Sequence, residues 1–183
     1  MRGLLVVLVA CSGDPLEVTP TTPGSTPDVP LIRSEAPLAD MGAWVEATGV
    51  DPLASHRPPD SACPLGGVLV EEGGKLEVNT GLCSYAWLEQ PLLAGLLPGD
   101  EVEVSLWHQD LISEEPAEGH VALLIGDQVV WEITVSIPAE ATPYTESVVV
   151  AFAAEVGEPL QLHLHNHGAN TWNLLRIERQ ARP

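Results

Sequence analysis

The sequence predicts an all-β protein, an antiparallel β-sandwich of jelly-roll type behind a signal peptide and a disordered linker. Three observations lead there. From about residue 63 the chain is built of runs of four to nine residues rich in Val, Ile, Leu and Trp, punctuated by Gly, Pro and Asp. No stretch keeps a long helical period. Val129, Trp131, Ile133, Val135 and Ile137 alternate with Glu132, Thr134 and Ser136, the period of a strand with one buried face. Short, evenly spaced strands with turn signals and no intervening helices are the pattern of two packed antiparallel sheets.

Taken in order, the expected strands are residues 67–71, 75–79, 84–88, 101–108, 120–125, 128–137, 146–153, 160–166 and 172–178. Gly73-Gly74 separates the first two and Gly126-Asp127 separates 120–125 from 128–137, both tight-hairpin signals. Pro98-Gly99-Asp100 turns the chain before Glu101-Val102-Glu103-Val104. Upstream, residues 31–62 read as a transition segment in which 36–47 (APLADMGAWVEA) is a short-helix candidate around Trp44, broken off by Pro58-Pro59. Residues 12–30, rich in Pro, Thr and Ser, lack the apolar side chains to offset ordering and read as an extended, flexible tether.

The chain has 183 residues, with 26 Asp and Glu against 7 Lys and Arg, a formal net charge of −19. This suits one domain and argues against nucleic acid, whose phosphates need Lys and Arg to neutralise them. An anionic membrane surface would repel the domain as well, so attachment to a membrane needs another agent.

That agent is suggested by the first eleven residues. Met1-Arg2-Gly3 is followed by the apolar run Leu4 to Val7 and by Leu8-Val9-Ala10-Cys11, a segment too short to span a bilayer. It resembles the lipobox of bacterial lipoproteins, which implies a signal peptide at 1–10, a lipidated Cys11, a tether at 11–30 and a cell-envelope location anchored through the lipid. Ser12 after the cysteine, under that family's sorting rule, points to the outer membrane. With Cys11 set aside, Cys63 and Cys83 remain, twenty residues apart and outside any CxxC motif. In an oxidising compartment they are a disulfide candidate worth about 3 kcal/mol by chain entropy; two buried free thiols are the alternative.

The order of the strands from 63 to 178, with LLPGDEVEVSLW in the middle and NHGANTWNLLRIE at the end, resembles the jelly-roll sandwiches of galactose-binding-like and carbohydrate-binding modules. The resemblance implies a domain at 63–183 that binds a glycan or another envelope partner, with ligand residues in loops that it does not identify. Five Trp against one Phe and two Tyr is a skewed aromatic choice, and indole faces stack on sugar rings. Trp87, Trp107, Trp172 and the loop residue Asn170 are accordingly ligand-binding candidates, with core positions as the alternative for most of the tryptophans.

The densest chemistry is His163, His165 and His167. On a strand, His163 and His165 share one face while Leu160, Leu162 and Leu164 face the core. Two imidazoles so placed, with His167 and with His108 or His120 from a neighbouring strand, could ligate Zn or Cu and support a metal-dependent enzyme. The spacing from Gly157 to His163-Leu164-His165 resembles the opening of a cupin metal motif, but the expected glutamate is missing, with Asn170 nearest its place. The alternative, which we favour, is a hydrogen-bonded polar face running into a turn built by Asn166, Gly168 and Asn170. A loop Ca site using Asp110 or Asp127 lacks the DxDxDG spacing. Glu71-Glu72 and Glu114-Glu115 are sequence neighbours and show no glycosidase separation. Without a GxSxG, P-loop or GxGxxG motif, a lipid-anchored binding or structural module is the leading reading and an enzyme the second.

Overall fold

Alternating apolar residues need a partner surface, and here two sheets supply it for each other. The computed structural model describes residues 34–182. The strands are β1 (Ala36–Pro37), β2 (Val45–Glu46), β3 (Val68–Glu71), β4 (Lys75–Asn79), β5 (Tyr85–Pro91), β6 (Glu101–His108), β7 (Ala117–Ile125), β8 (Gln128–Ile137), β9 (Thr142–Val149), β10 (Pro159–His165) and β11 (Thr171–Arg179). The first sheet runs β3-β4-β11-β6-β9, with β1 also on β11; the second runs β2-β5-β10-β7-β8. Every pairing is antiparallel. The core is the inner faces of the two sheets: Leu76, Val78, Val104, Leu106, Trp172, Leu174 and Ile177 against Leu88, Val121, Leu123, Trp131, Leu160, Leu162 and Leu164. Each fully buried side chain of this kind contributes roughly 1.5–3 kcal/mol.

All nine expected strands are present, and Leu160, Leu162 and Leu164 face the core as their spacing implies. The largest departure lies upstream. The short helix expected over 36–47 does not form; β1 pairs Ala36 with Arg179 and β2 pairs Val45 with Glu89, so the segment taken as a transition extends both sheets. A weakly periodic stretch with Trp44 and Leu38 gains more from sheet edges and the core than from a lone helix that would be marginal at that length. The helical geometry here is a 3-10 turn at Ala54–His56.

Two irregularities shift side chains between faces. Between β7 and β8, Leu123 opposes Trp131 but Leu124 opposes Val129, so Val130 is the extra residue of a bulge. Val130 packs on the core and Val129 stands 44% exposed, which removes Val129 from the face expected to hold all five alternating residues. In β11 the register shifts between Leu174 and Arg176, leaving Leu175 outward before Ile177 returns to the core. The ninth candidate, expected at 146–153, begins instead at Thr142 and ends at Val149, as an edge strand that tolerates Pro143.

Among the described residues no helix is long and apolar enough to cross a membrane. The expected signal peptide, Cys11 and the tether lie outside the described residues.

Candidate functional site

On the outward face of the second sheet, register sets two rows side by side: Tyr85 opposite His165, His165 opposite His120 and His120 opposite Thr134; then Trp87, His163, Ala122 and Glu132. An outward sheet face normally meets water. Here residues 51–59 lie across it, and Tyr85, Trp87, His120 and His163 are all buried. This strap has no buried residue in its 3-10 turn, and its backbone bonds of 51–57 close on the segment itself. Side chains tie it down.

Asp51 is the main tie. Its carboxylate accepts the Tyr85 hydroxyl at 2.8 Å and lies 3.5 Å from His163 Nδ1 and 3.6 Å from Arg57 Nε, while its own side chain is only 6% exposed. Tyr85 Oη is also 2.9 Å from His163 Nδ1. A phenol has one proton; given to Asp51, it leaves Tyr85 oxygen to accept from His163, which fixes the Nδ1–H tautomer. His163 Nε2 is then a buried acceptor without a protein partner, and the Nε2 of His165 is also buried without one. Burial, and then the Asp51 carboxylate it touches, pushes the Tyr85 phenol well above its ordinary range. Burial likewise lowers His163 to about 4, against the opposing pull of Asp51. It also lowers His165, helped by the neighbouring His167, His56 and His120.

The other strap residues lie on the rings. Arg57 places its guanidinium 4.9 Å from the Tyr85 centroid and 5.8 Å from that of Trp87, whose Nε1 donates to Gln161 Oε1 at 2.7 Å. His56 stacks on His120 at 4.5 Å, and His165 meets His167 at 4.8 Å. Beside the strap opens a cleft of about 360 Å³ lined by Trp44, Glu46, Arg57, Tyr85, Trp87 and the loop at 61–66. The Cys63–Cys83 disulfide anchors that loop, with an S–S distance of 2.01 Å. A Cβ at Gly67 would come within 2.8 Å of Cys83 Cβ, so glycine is required for the loop to pass the bridge.

The structure divides the residues that the sequence singles out. His163, His165, His120 and His167 come together, but His108 is in the first sheet, its Nδ1 bonded to the Gln109 carbonyl at 2.7 Å and its ring 4.7 Å from that of Trp172. Among the described residues no three His, Cys, Asp or Glu side chains converge to hold a metal ion. Trp87 lines the cleft, whereas Trp107 lies on the opposite outward face with Lys75 Nζ 5.3 Å from its ring. Trp172, a ligand candidate from sequence, is a core residue, 2% exposed, whose Nε1 donates to Asn166 Oδ1 at 3.1 Å. Asn170 is also buried structure: its Oδ1 accepts from Ile112 N at 2.7 Å and its Nδ2 donates to the His167 carbonyl at 2.9 Å. A loop that reverses the chain inside the domain must satisfy its polar groups there, and Asn170 does so both within the loop and across to Ile112 and Thr80. Asp51, His56, Arg57, Trp44 and Tyr85 escape a sequence reading because they come from a segment with no periodicity, and from the two Tyr only a fold can place.

No family model matches the chain, and no curated protein matches its sequence. Among solved structures it is similar to a protein described as CBM4, at 14% identity and a TM-score of 0.42, over 68% of this chain and 81% of that one. The C-terminal CBM6 of LamC, a marine laminarinase from Zobellia galactanivorans, aligns at 14% identity and a TM-score of 0.41, over 63% and 89%. A family 11 carbohydrate-binding module from Clostridium thermocellum, solved with a mixed-linked β-1,3-1,4 tetrasaccharide, aligns at 10% identity and a TM-score of 0.40, over 80% and 95%. Likenesses at this level transfer no residue role and no ligand to this chain.

Proposed function

We propose that this protein is a glycan-binding module held at the bacterial cell envelope by a lipid on Cys11. What carries the glycan reading is the cleft, in which Trp44, Tyr85 and Trp87 meet Arg57 and Glu46. Sugar rings present apolar CH faces and a rim of hydroxyls. Aromatic walls with a donor and an acceptor beside them fit both. A net charge of −19 disfavours polyanionic glycans and favours neutral ones.

Titration of the protein with peptidoglycan fragments and common polysaccharides, followed by tryptophan fluorescence and calorimetry, is expected to identify a binder. Trp44→Ala and Trp87→Ala should each weaken it by about tenfold or more, the scale of losing one aromatic anchor. Absence of any binder in the panel would retire the reading. For the anchor, a fatty-acid label should enter the wild-type protein in a bacterial host and be lost in Cys11→Ser. Label retained in that variant would refute lipidation at Cys11, and label with an inner-membrane distribution would refute the outer-membrane placement that Ser12 suggests.

A further inference from the structure

We propose that residues 51–59 form an acid-released strap, which at neutral pH holds Arg57 where a sugar would stack on Tyr85 and Trp87 and which lifts when the histidines beneath it become protonated. This regulates the cleft and so rests on the glycan reading for its purpose, although the opening itself does not depend on any ligand.

The observation behind it is how the strap is held. It contributes no buried residue in its turn and its backbone-to-backbone bonds at 51–57 are internal, so its attachment is a set of contacts to titratable side chains, the Leu53 carbonyl accepting the Tyr85 hydroxyl at 3.4 Å among them. From the strap come Asp51, His56 and Arg57; from β5, Tyr85; from β7, Glu118 and His120; from β8, Glu132; from β10, His163 and His165; from the loop after it, His167; and across the cleft from Arg57, Glu46. Neutral imidazoles can lie 4.5 and 4.8 Å apart, as His56 stacked on His120 and His165 tilted against His167 do, but two imidazolium rings at that distance repel. Glu132, 3.1 Å from His120 Nε2, and Asp51 temper the charge at two of the five histidines. Among the described residues, His165 and His56 have no such carboxylate ion pair.

Linkage gives the size and the direction. While covered, His163 takes a proton only near pH 4; uncovered, it would do so near its ordinary 6.5. The open form therefore binds more protons between those values, and each unit of acidification favours opening by up to about tenfold from this group alone. His165, also lowered by burial, acts in the same sense. Opening takes Arg57 off both rings and turns a half-filled cleft into an aromatic platform.

Hydrogen exchange of the full-length chain, corrected for the intrinsic pH dependence of the chemistry, tests this without a ligand. Between pH 7.5 and 4.5 the amides of 51–59 should lose protection by about a hundredfold while those of β6 and β11 keep theirs. His163→Gln should reduce that pH dependence by at least about tenfold. Protection of 51–59 that stays constant, or that is lost only together with β6 and β11, would overturn the proposal. So would an unchanged pH dependence in His163→Gln; should that variant fail to fold, His165→Gln, which removes the other imidazole lowered by burial, is read in its place and must reduce the pH dependence too. Repeating the polysaccharide titration at both pH values separates the two readings. A strap that opens with no binder at either pH refutes the glycan reading and leaves the strap standing, whereas a binder with a strap that stays closed does the reverse.

Discussion

On the first sheet an outward row runs from Leu69 through Glu77, Asn173 and Trp107 to Pro143; on the second, the comparable row is Tyr85, His165, His120 and Thr134. Both rows obey the same alternation and stand back to back on the same core. They differ in what lies over them. Lys75 reaches over Trp107 from its own sheet, bonding the buried Asn173 at 2.9 Å and Glu71 at 2.7 Å, and no separate segment covers the row among the described residues. The second row has a separate piece of chain laid on it, which buries a carboxylate, a phenol and two imidazoles. A charge or ring on the open face is screened by water, while the same group under the strap acts in a medium where each contact is strong and each missing contact is costly. The contrast teaches that a site here arises from covering a sheet face rather than from an unusual composition of that face.

The sharpest way to break this contrast is to remove the buried tie. Asp51→Ala removes the shorter of the two acceptors of the Tyr85 hydroxyl, leaving the Leu53 carbonyl at 3.4 Å, and takes away the buried carboxylate beside Arg57 and His163; we expect a loss of about 3 kcal/mol in chemical denaturation. Glu103→Ala, which removes the solvated partner of Arg176 on the open face, should leave the denaturation midpoint unchanged. An equal effect from the two would show that the strap gives Asp51 no special environment.

The pH dependence is expected to be nearly as large. His163 is lowered from 6.5 to about 4 in the folded protein, so the unfolded chain binds the extra proton between those values. The associated stability is complete above about pH 6.5 and lost as pH falls towards 4, at roughly 1.4 kcal/mol per unit and about 3 kcal/mol in all. Denaturation of His163→Gln at several pH values should show that slope flattened, and a slope equal to wild type would assign the acid sensitivity elsewhere.

The smallest expected effect sharpens the comparison from the other side. Trp107→Ala should leave glycan affinity within about twofold of wild type, in contrast to Trp87→Ala, since the rings lie on opposite outward faces. A large loss in a polysaccharide titration of Trp107→Ala would place a binding surface on the open sheet.

Much of this molecule is legible in the chain. Alternation from Trp131 to Ile137, hairpin turns at Gly73-Gly74 and Gly126-Asp127 and the leucines of β10 declare strands and an inward face, because strand geometry sends alternate side chains to opposite sides. The pairing of Cys63 with Cys83 follows from there being two candidate thiols in the domain. The bulge at Val130 is less visible, since one extra residue leaves the local pattern apolar on both sides. The strap is illegible altogether: residues 51–59 have no period, no apolar run and three prolines, and look like any surface connection.

The sequence alone determined the fold class, most of the strands and which residues of β10 would face outward, for these depend on local periodicity and turn chemistry. Tertiary structure decided which outward residues form a site. The approach of Asp51, His56 and Arg57 to Tyr85, Trp87, His120 and His163 joins positions up to more than a hundred residues apart, and only the folded chain determines which sheet face is covered and which is left to water.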